Sequence, residues 1–267
     1  MKHILVPIGS TENASNTLQY AIDLASEIDA KVFVFRAYRV ISKAGTIINV
    51  NEIIERETNL YLRSIINVVN TKSVEVKMIS ANGDVIDSIN KVDKELGIDL
   101  IVVGPKSNSV KEEVFLGSTS GSIVKYSKIP VLVVPNGATF SPFKTALTAF
   151  KSGVITKEDA LHPLEMIASK FNTEVDLLLV KTPATTEEDL LLDAKLSKIQ
   201  QSLTITEKDT TFAGVLEYFE SNTTDMLCVF RRKRGFFKKL WESNTILKSE
   251  FYCDIPLLVL SGLSGDQ

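Results

Sequence analysis

The sequence predicts an α/β fold built twice, each copy a parallel sheet flanked by helices. Three observations lead there. Short apolar runs rich in Val and Ile alternate along the chain with longer stretches of helical period, the signature of strands covered on both faces. The strand-bearing ends recur at fixed spacing: Asp99 lies 31 residues before Pro130, and Asp225 lies 31 residues before Pro256. Finally, 267 residues, 44% of them hydrophobic, suffice for two cores of ordinary size.

Taken in order, Ile4 to Ile8 is a buried strand closed by Gly9, after which Thr11 offers an N-cap oxygen. Leu18, Ala21, Ile22, Ala25 and Ile28 form one apolar helical face. Val32 to Phe35 is the next strand, followed by a long helical pattern from Ile53 to Val69. Val74, Val76 and Met78 alternate as a strand does. Asp84 caps a third helix carrying Val85, Ile86, Ile89, Val92 and Leu96, and Leu100 to Val103 is a buried strand ending at Gly104. A polar loop leads to Gly117, a fourth helix and the strand Val131 to Val134.

The second half repeats this order. Asp-Met-Leu-Cys-Val from Asp225 matches Asp-Leu-Ile-Val-Val from Asp99, an offset of 126. Near the beginnings, Thr173-Glu174-Val175 matches Ala30-Lys31-Val32 at an offset of 143, so the second copy has lost about 17 residues from its middle. The duplication divides the chain into domains 1–138 and 143–263, joined by a Pro/Gly/Ser-containing linker. The net charge of −3 divides unevenly: residues 1–138 carry 15 basic and 15 acidic groups, residues 139–267 carry 15 and 18. That balance supplies no general attraction for nucleic acid or anionic lipid.

Several chemistries lack their pattern. The first apolar run is too short for a signal-peptide core, and no later run approaches the ~18 residues that cross a bilayer, so a cytoplasmic protein is expected. Cys228 and Cys253 cannot form a disulfide framework and read as core thiols. His3 and His162 have no Cys or carboxylate at ligand spacing, and His162-Pro163 reads as a helix start. Dinucleotide fingerprint, Walker-type phosphate loop and nucleophile elbow are all missing.

Chemistry is concentrated after the fourth strand, in Gly104-Pro105-Lys106-Ser107 and, after nine intervening residues, Gly117-Ser118-Thr119-Ser120-Gly121. Small residues let backbone N–H groups approach an anion, and a helix N-terminus adds about half a positive charge. The same residues also suit a plain turn and helix cap, so this segment alone leaves both readings open.

Together, the Ile-Leu-Val-Pro strand, the strand ending at Gly104, the Gly and Gly-Ser spacing, and the closing Pro-Val-Leu-Val-Val strand resemble the universal stress protein family. The resemblance covers the whole chain, more strongly before residue 136. It implies two tandem Rossmann-like (adenine nucleotide alpha hydrolase-like) domains, each an open parallel five-stranded sheet flanked by helices. Family members bind ATP or a related adenine nucleotide, or act without one as stress-response regulators. The implied cofactor is therefore an adenine nucleotide, with Mg²⁺ left open, and the alternative is a nucleotide-free regulatory or scaffolding protein acting through partners. Slow ATP hydrolysis ranks third, because no loop side chain is an evident water-activating base.

The implied nucleotide-binding set is Pro7, Ile8, Gly9, Ala37, Gly104, Ser107, Gly117, Ser118, Thr119 and Ser120. It departs from the family pattern in two places: Ser107 replaces a glycine, and Pro7-Ile8-Gly9 lacks the carboxylate that faces the ribose. Ala37 falls where a small apolar residue meets the adenine. In the second copy Phe230, Lys233, Ser243 and Asn244 stand at Gly104, Ser107, Gly117 and Ser118, which predicts a degenerate site. Family dimers form through the last strand, so the two halves are expected to make an intrachain pseudo-dimer, with a homodimer also compatible. The run from Arg231 to Lys239 has six basic residues in nine; it is either a solvated loop or a contact for an anionic partner.

Overall fold

The structure is a computed structural model that describes residues 1–9, 13–40, 50–105, 114–155, 157–231, 246–247 and 252–261. The first half runs β1 (His3–Pro7), α1 (Ala14–Ile28), β2 (Lys31–Tyr38), α2 (Val50–Ile66), β3 (Val76–Asn82), α3 (Val85–Leu96), β4 (Leu100–Val103), β5 (Val114–Leu116), α4 (Ser118–Tyr126) and β6 (Val131–Val133). The second runs β7 (Thr145–Phe150), α5 (His162–Phe171), β8 (Glu174–Lys181), α6 (Ala194–Ile199), β9 (Ser202–Glu207), α7 (Thr211–Ser221), β10 (Met226–Phe230), β11 (Ile246–Leu247) and β12 (Leu257–Leu260), with a short 3₁₀ turn at Glu188–Leu190.

Ten of these strands form one sheet in the order β3-β2-β1-β4-β6-β12-β10-β7-β8-β9, and β5 and β11 pair separately. Read outward from its centre, the order is the same in both directions, so each half contributes five parallel strands of one topology. The two sets are not separate sheets. β6 and β12 pair antiparallel, Leu132 opposite Leu258, and fuse them. Their physical reason is plain: Val-Leu-Val and Leu-Leu-Val-Leu are apolar on both faces and carry no charge, so either one left at an edge would be an open template for pairing.

Period-two alternation sorts the strands between two cores. Ile4, Val6 and Val102 face one side with Cys228 and Leu258, under α1, α2 and α5; Leu5, Ile101 and Val131 face the other with Leu227 and Leu257, under α3, α4 and α7. Each core runs through both halves. The linker contributes as well, since Phe140 packs edge-on against Tyr20 of α1 and Phe143. Asn16 holds the turn there, its Oδ1 accepting from Gly137 N (3.0 Å) and its Nδ2 donating to Ala138 O (3.0 Å). Gly137 sits at φ +70°, the left-handed region that favours glycine.

The repeat is also written in hydrogen bonds. Asp99 Oδ2 accepts from Lys2 N (2.6 Å) and His3 N (3.0 Å), clamping the start of β1 to β4. Asp225 Oδ2 accepts from Lys144 N (2.7 Å) and Thr145 N (3.0 Å), doing the same for β7 and β10. Asp29 and Asn172, at the paired helix ends, both adopt left-handed backbone (φ 55° and 54°). Asp99→Ala should cost about 1–2 kcal/mol in urea unfolding, two charge-assisted bonds discounted for solvent screening, and the more exposed Asp225→Ala should cost less. Equal, negligible losses would count against these clamps.

Some elements differ from the sequence reading. Thr11 lies outside the described residues; α1 begins at Ala14 behind Asn13, whose side chain makes no cap bond. Asp84 does cap α3, accepting from Ile86 N at 2.9 Å, and His162 does open α5 with proline in its first turn. β2 continues past Phe35 to Tyr38, and β3 spans Val76–Asn82 rather than starting at Val74. Within the stretch read as loop, β5 pairs antiparallel with β11 and ties the halves together a second time. The shortened middle of the second copy is visible as α6, six residues against seventeen in α2, which leaves Leu203 and Ile205 on β9 exposed.

Candidate functional site

In doubly wound sheets a crevice opens beyond the carboxyl ends of the strands, where the chain switches the direction in which it adds strands. Here that point lies between β1 and β4. A cavity of about 310 Å³ occupies it. Its wall takes Pro7, Ile8 and Gly9 from the end of β1, Ala37 from β2, Gly104 from beyond β4, and Gly117, Ser118, Thr119 and Ser120 from the start of α4. Those are nine of the ten residues singled out in the sequence, gathered from four places in the chain. Ser107 lies outside the described residues.

The α4 end of the cavity is built for close approach. Gly117 is the N-cap and offers no side-chain acceptor, so the first-turn N–H groups, unpaired within the helix, keep their donors for another partner. Ser120 Oγ donates to Gly104 O at 3.0 Å, holding the first turn of α4 against the end of β4. A Cβ built on Gly104 would run into Thr17 Oγ1 of α1. Only glycine keeps this backbone bare.

The opposite end is cationic. Arg36, on β2, lines the cavity, and its guanidinium carbon stands 4.2 Å from the centre of the Tyr61 ring of α2. Tyr61 OH donates to Gly9 O at 2.8 Å, and Arg36 Nη1 approaches the same carbonyl at 3.4 Å. Among the described lining residues Arg36 is the one charged group, and none is Asp or Glu. Beyond Ala37, Ser118 and Thr119 the groove continues past Asp84, whose carboxyl is held low by the Ile86 N–H ahead of its ion pair with Arg39 at 2.7 Å.

Arg36 and Thr17 were missed in the sequence, and both had a signal. Thr17 falls on the helical face of Leu18 and Ala21, and Arg36 falls one residue past a strand ended too early. Ala14, Phe35, Val85, Val103, Pro105 and Ile123 complete the apolar wall.

The second half fills the matching space. The strand registers are the same, Ile4 opposite Leu100 and Ala146 opposite Met226, so Phe150 stands at Ile8 and Phe230 at Gly104. The two rings are buried and meet edge to face, centroids 6.4 Å apart. The chain from the 3₁₀ turn onward packs against the segment that follows β7: Gly153 N donates to Asp189 O (2.8 Å), Asp193 N to Gly153 O (3.0 Å), and a Cβ on Gly153 would meet Leu191 O at 2.5 Å. Lys233, Ser243 and Asn244 lie outside the described residues.

Of the basic run, Arg231 turns inward and donates to Val124 O of α4 at 3.2 Å; residues 232–239 lie outside the described residues. His3 Nδ1 lies 2.7 Å from Leu96 O, with its ring edge-on to Phe33. Cys228 and Cys253 are buried free thiols, both pushed up to about 12 by burial. Among the described residues no group of three or more His, Cys, Asp or Glu side chains could hold a metal ion. None of the described helices is long and apolar enough to cross a membrane.

Known proteins resemble the chain as follows. The family model described as "Universal stress protein family" matches residues 1–135. Universal stress protein YxiE of Bacillus subtilis is 28% identical over 143 residues, 49% of this chain and 97% of its own. Among solved structures, a universal stress protein from Archaeoglobus fulgidus DSM 4304 superposes with a TM-score of 0.70 at 17% identity, covering 99% of this chain and 97% of that one. A functionally unknown protein from Pseudomonas aeruginosa PAO1 gives a TM-score of 0.56 at 13% identity over 97% and 92% of the two chains. At these identities the structures show a shared fold, and they do so across both halves.

Proposed function

This chain belongs to the universal stress protein family, and from that premise we propose that its first half binds ATP or a related adenine nucleotide while the second half serves as a filled, non-binding partner. One observation carries the reading: bare backbone at Gly104 and the uncapped, hydroxyl-lined start of α4 share a single cavity at the switch point of the sheet. Phosphate belongs at the α4 end, where N–H donors and the helix dipole converge, and the base belongs toward Ala37 and Val85. Gly117, Ser118, Thr119 and Ser120 are the phosphate residues of this reading, Pro7, Ile8 and Gly9 the ribose side. Ser107 keeps its sequence assignment there. The reading is of a regulatory binding module, with slow ATP hydrolysis ranked behind it.

Within it, domains 1–138 and 143–263 form a pseudo-dimer through β6 and β12, working in the cytosol where the thiols stay reduced. Titration calorimetry with ATP and ADP tests the reading. We expect one site per chain, because Phe150 and Phe230 occupy the second position. A saturating nucleotide at about 100 times its Kd should add about 2.7 kcal/mol of stability. A folded sample that gives neither heat nor a shift in Tm with either nucleotide sinks the proposal.

A nucleotide-free regulator is the second reading. It is favoured by the absence of a carboxylate among the described lining residues around Gly9. The same titration decides between them.

A further inference from the structure

The cavity has two positive ends, and we propose that its ligand is an adenine nucleotide with a second phosphate on the 2′ or 3′ position of the ribose, read by Arg36. The proposal rests on the nucleotide reading above. β2, β1 and β4 lie side by side, so Arg36 at the end of β2 and Gly104 beyond β4 are separated by two strand spacings, roughly 10 Å. A nucleotide with its 5′ phosphate at the α4 N-terminus reaches back across that distance. Its ribose then lies over the end of β1, within range of Arg36.

The chemistry at that point favours an anion. A free ribose hydroxyl pair donates hydrogen bonds, and a carboxylate is the acceptor that suits it; Gly9 presents no side chain and no Asp or Glu is among the described lining residues. Arg36 offers five N–H donors and no acceptor. In doubly wound sheets this exchange distinguishes the two ligand classes: an acidic side chain reads the free hydroxyl, and an arginine nearby accommodates a ribose phosphate.

Arg36 is also held ready. Its guanidinium lies over the Tyr61 ring, and Tyr61 is fixed in turn by its bond to Gly9 O. The contact of Arg36 Nη1 with that carbonyl is long, 3.4 Å, and engages one donor of the five. A planar guanidinium pinned on one face can turn its edge to two phosphate oxygens at little cost in rotamer freedom.

The experiment titrates the full chain with AMP, adenosine 2′,5′-bisphosphate, adenosine 3′,5′-bisphosphate and ATP, and repeats the series with Arg36→Gln and Arg36→Lys. One of the two bisphosphates is expected to bind at least about tenfold tighter than AMP, and Arg36→Gln to bring that ratio to within about threefold of unity. Arg36→Lys, a point charge without the fork, should retain part of the ratio and serves alone should the glutamine variant not fold. Equal affinity for AMP and both bisphosphates, or a ratio that survives both substitutions, overturns the proposal and leaves nucleotide binding standing. Failure of all four ligands to bind the folded wild-type chain overturns both.

Discussion

Gly104→Ala is expected to lower the stability of the protein by about 1–3 kcal/mol and to weaken ATP binding at least about tenfold. The new Cβ has no room, because Thr17 Oγ1 already stands where it would be. Thr17 is buried on the inner face of α1 and is β-branched, so it cannot swing aside without leaving its rotamer or moving the helix. The strain separates from the binding defect in a double variant. Thr17→Ala removes the obstructing oxygen, and Gly104→Ala/Thr17→Ala should recover most of the stability lost by Gly104→Ala, a coupling of roughly 0.5–3 kcal/mol. Binding should stay weak, since the methyl group still stands on the backbone that we assign to the phosphate. Urea unfolding and ATP titration of the wild type, both single variants and the double variant measure the two effects. Stability losses that simply add would mean that Gly104 and Thr17 do not touch.

The sequence displayed what is local or strictly repeated. Leu100–Val103 and Val131–Val133 were visible because strands buried on both faces leave continuous apolar runs. The duplication was visible because Asp99 and Asp225 do the same backbone work before equivalent strands. Gly104 and the Gly117 to Ser120 turn were visible because close approach of backbone demands small residues. The hidden part depends on contacts far apart in sequence. Nothing in Val114–Leu116 names Ile246–Leu247 as its partner 130 residues away, and three-residue strands carry too little pattern to stand out. Arg36 was lost for another reason: a charged residue marks the end of a strand by composition, yet at the carboxyl end of β2 it faces a cavity instead of a core and costs the strand nothing. The loss of Phe150 from view was one of register. Its equivalence to Ile8 follows only once β7 is aligned on β10 as β1 is on β4.

Phe230→Ala should be the most damaging single change among those considered, costing about 3–5 kcal/mol. The ring is buried at the carboxyl end of β10 and meets Phe150 edge to face, so truncation removes its own burial and one side of an aromatic pair. Phe150→Ala should fall in the same range, and the double variant should cost less than the two together, because both empty one shared space. That space should not become a second nucleotide site. Glycine at 104 exposes backbone from β4, whereas alanine at 230 leaves a cavity lined by apolar atoms, with the backbone bonds between Gly153 and residues 189–193 still in place after β7. Calorimetric stoichiometry with ATP should therefore stay at one per chain in Phe230→Ala, with benzene or xenon a better guest than phosphate for the emptied half. A stoichiometry of two would show that the rings alone block the second position and that the chain retains two latent sites. A value of one with the expected loss of stability would show that the second half has exchanged its pocket for a core, with the bonds to the segment that follows β7 as much a part of that exchange as the rings.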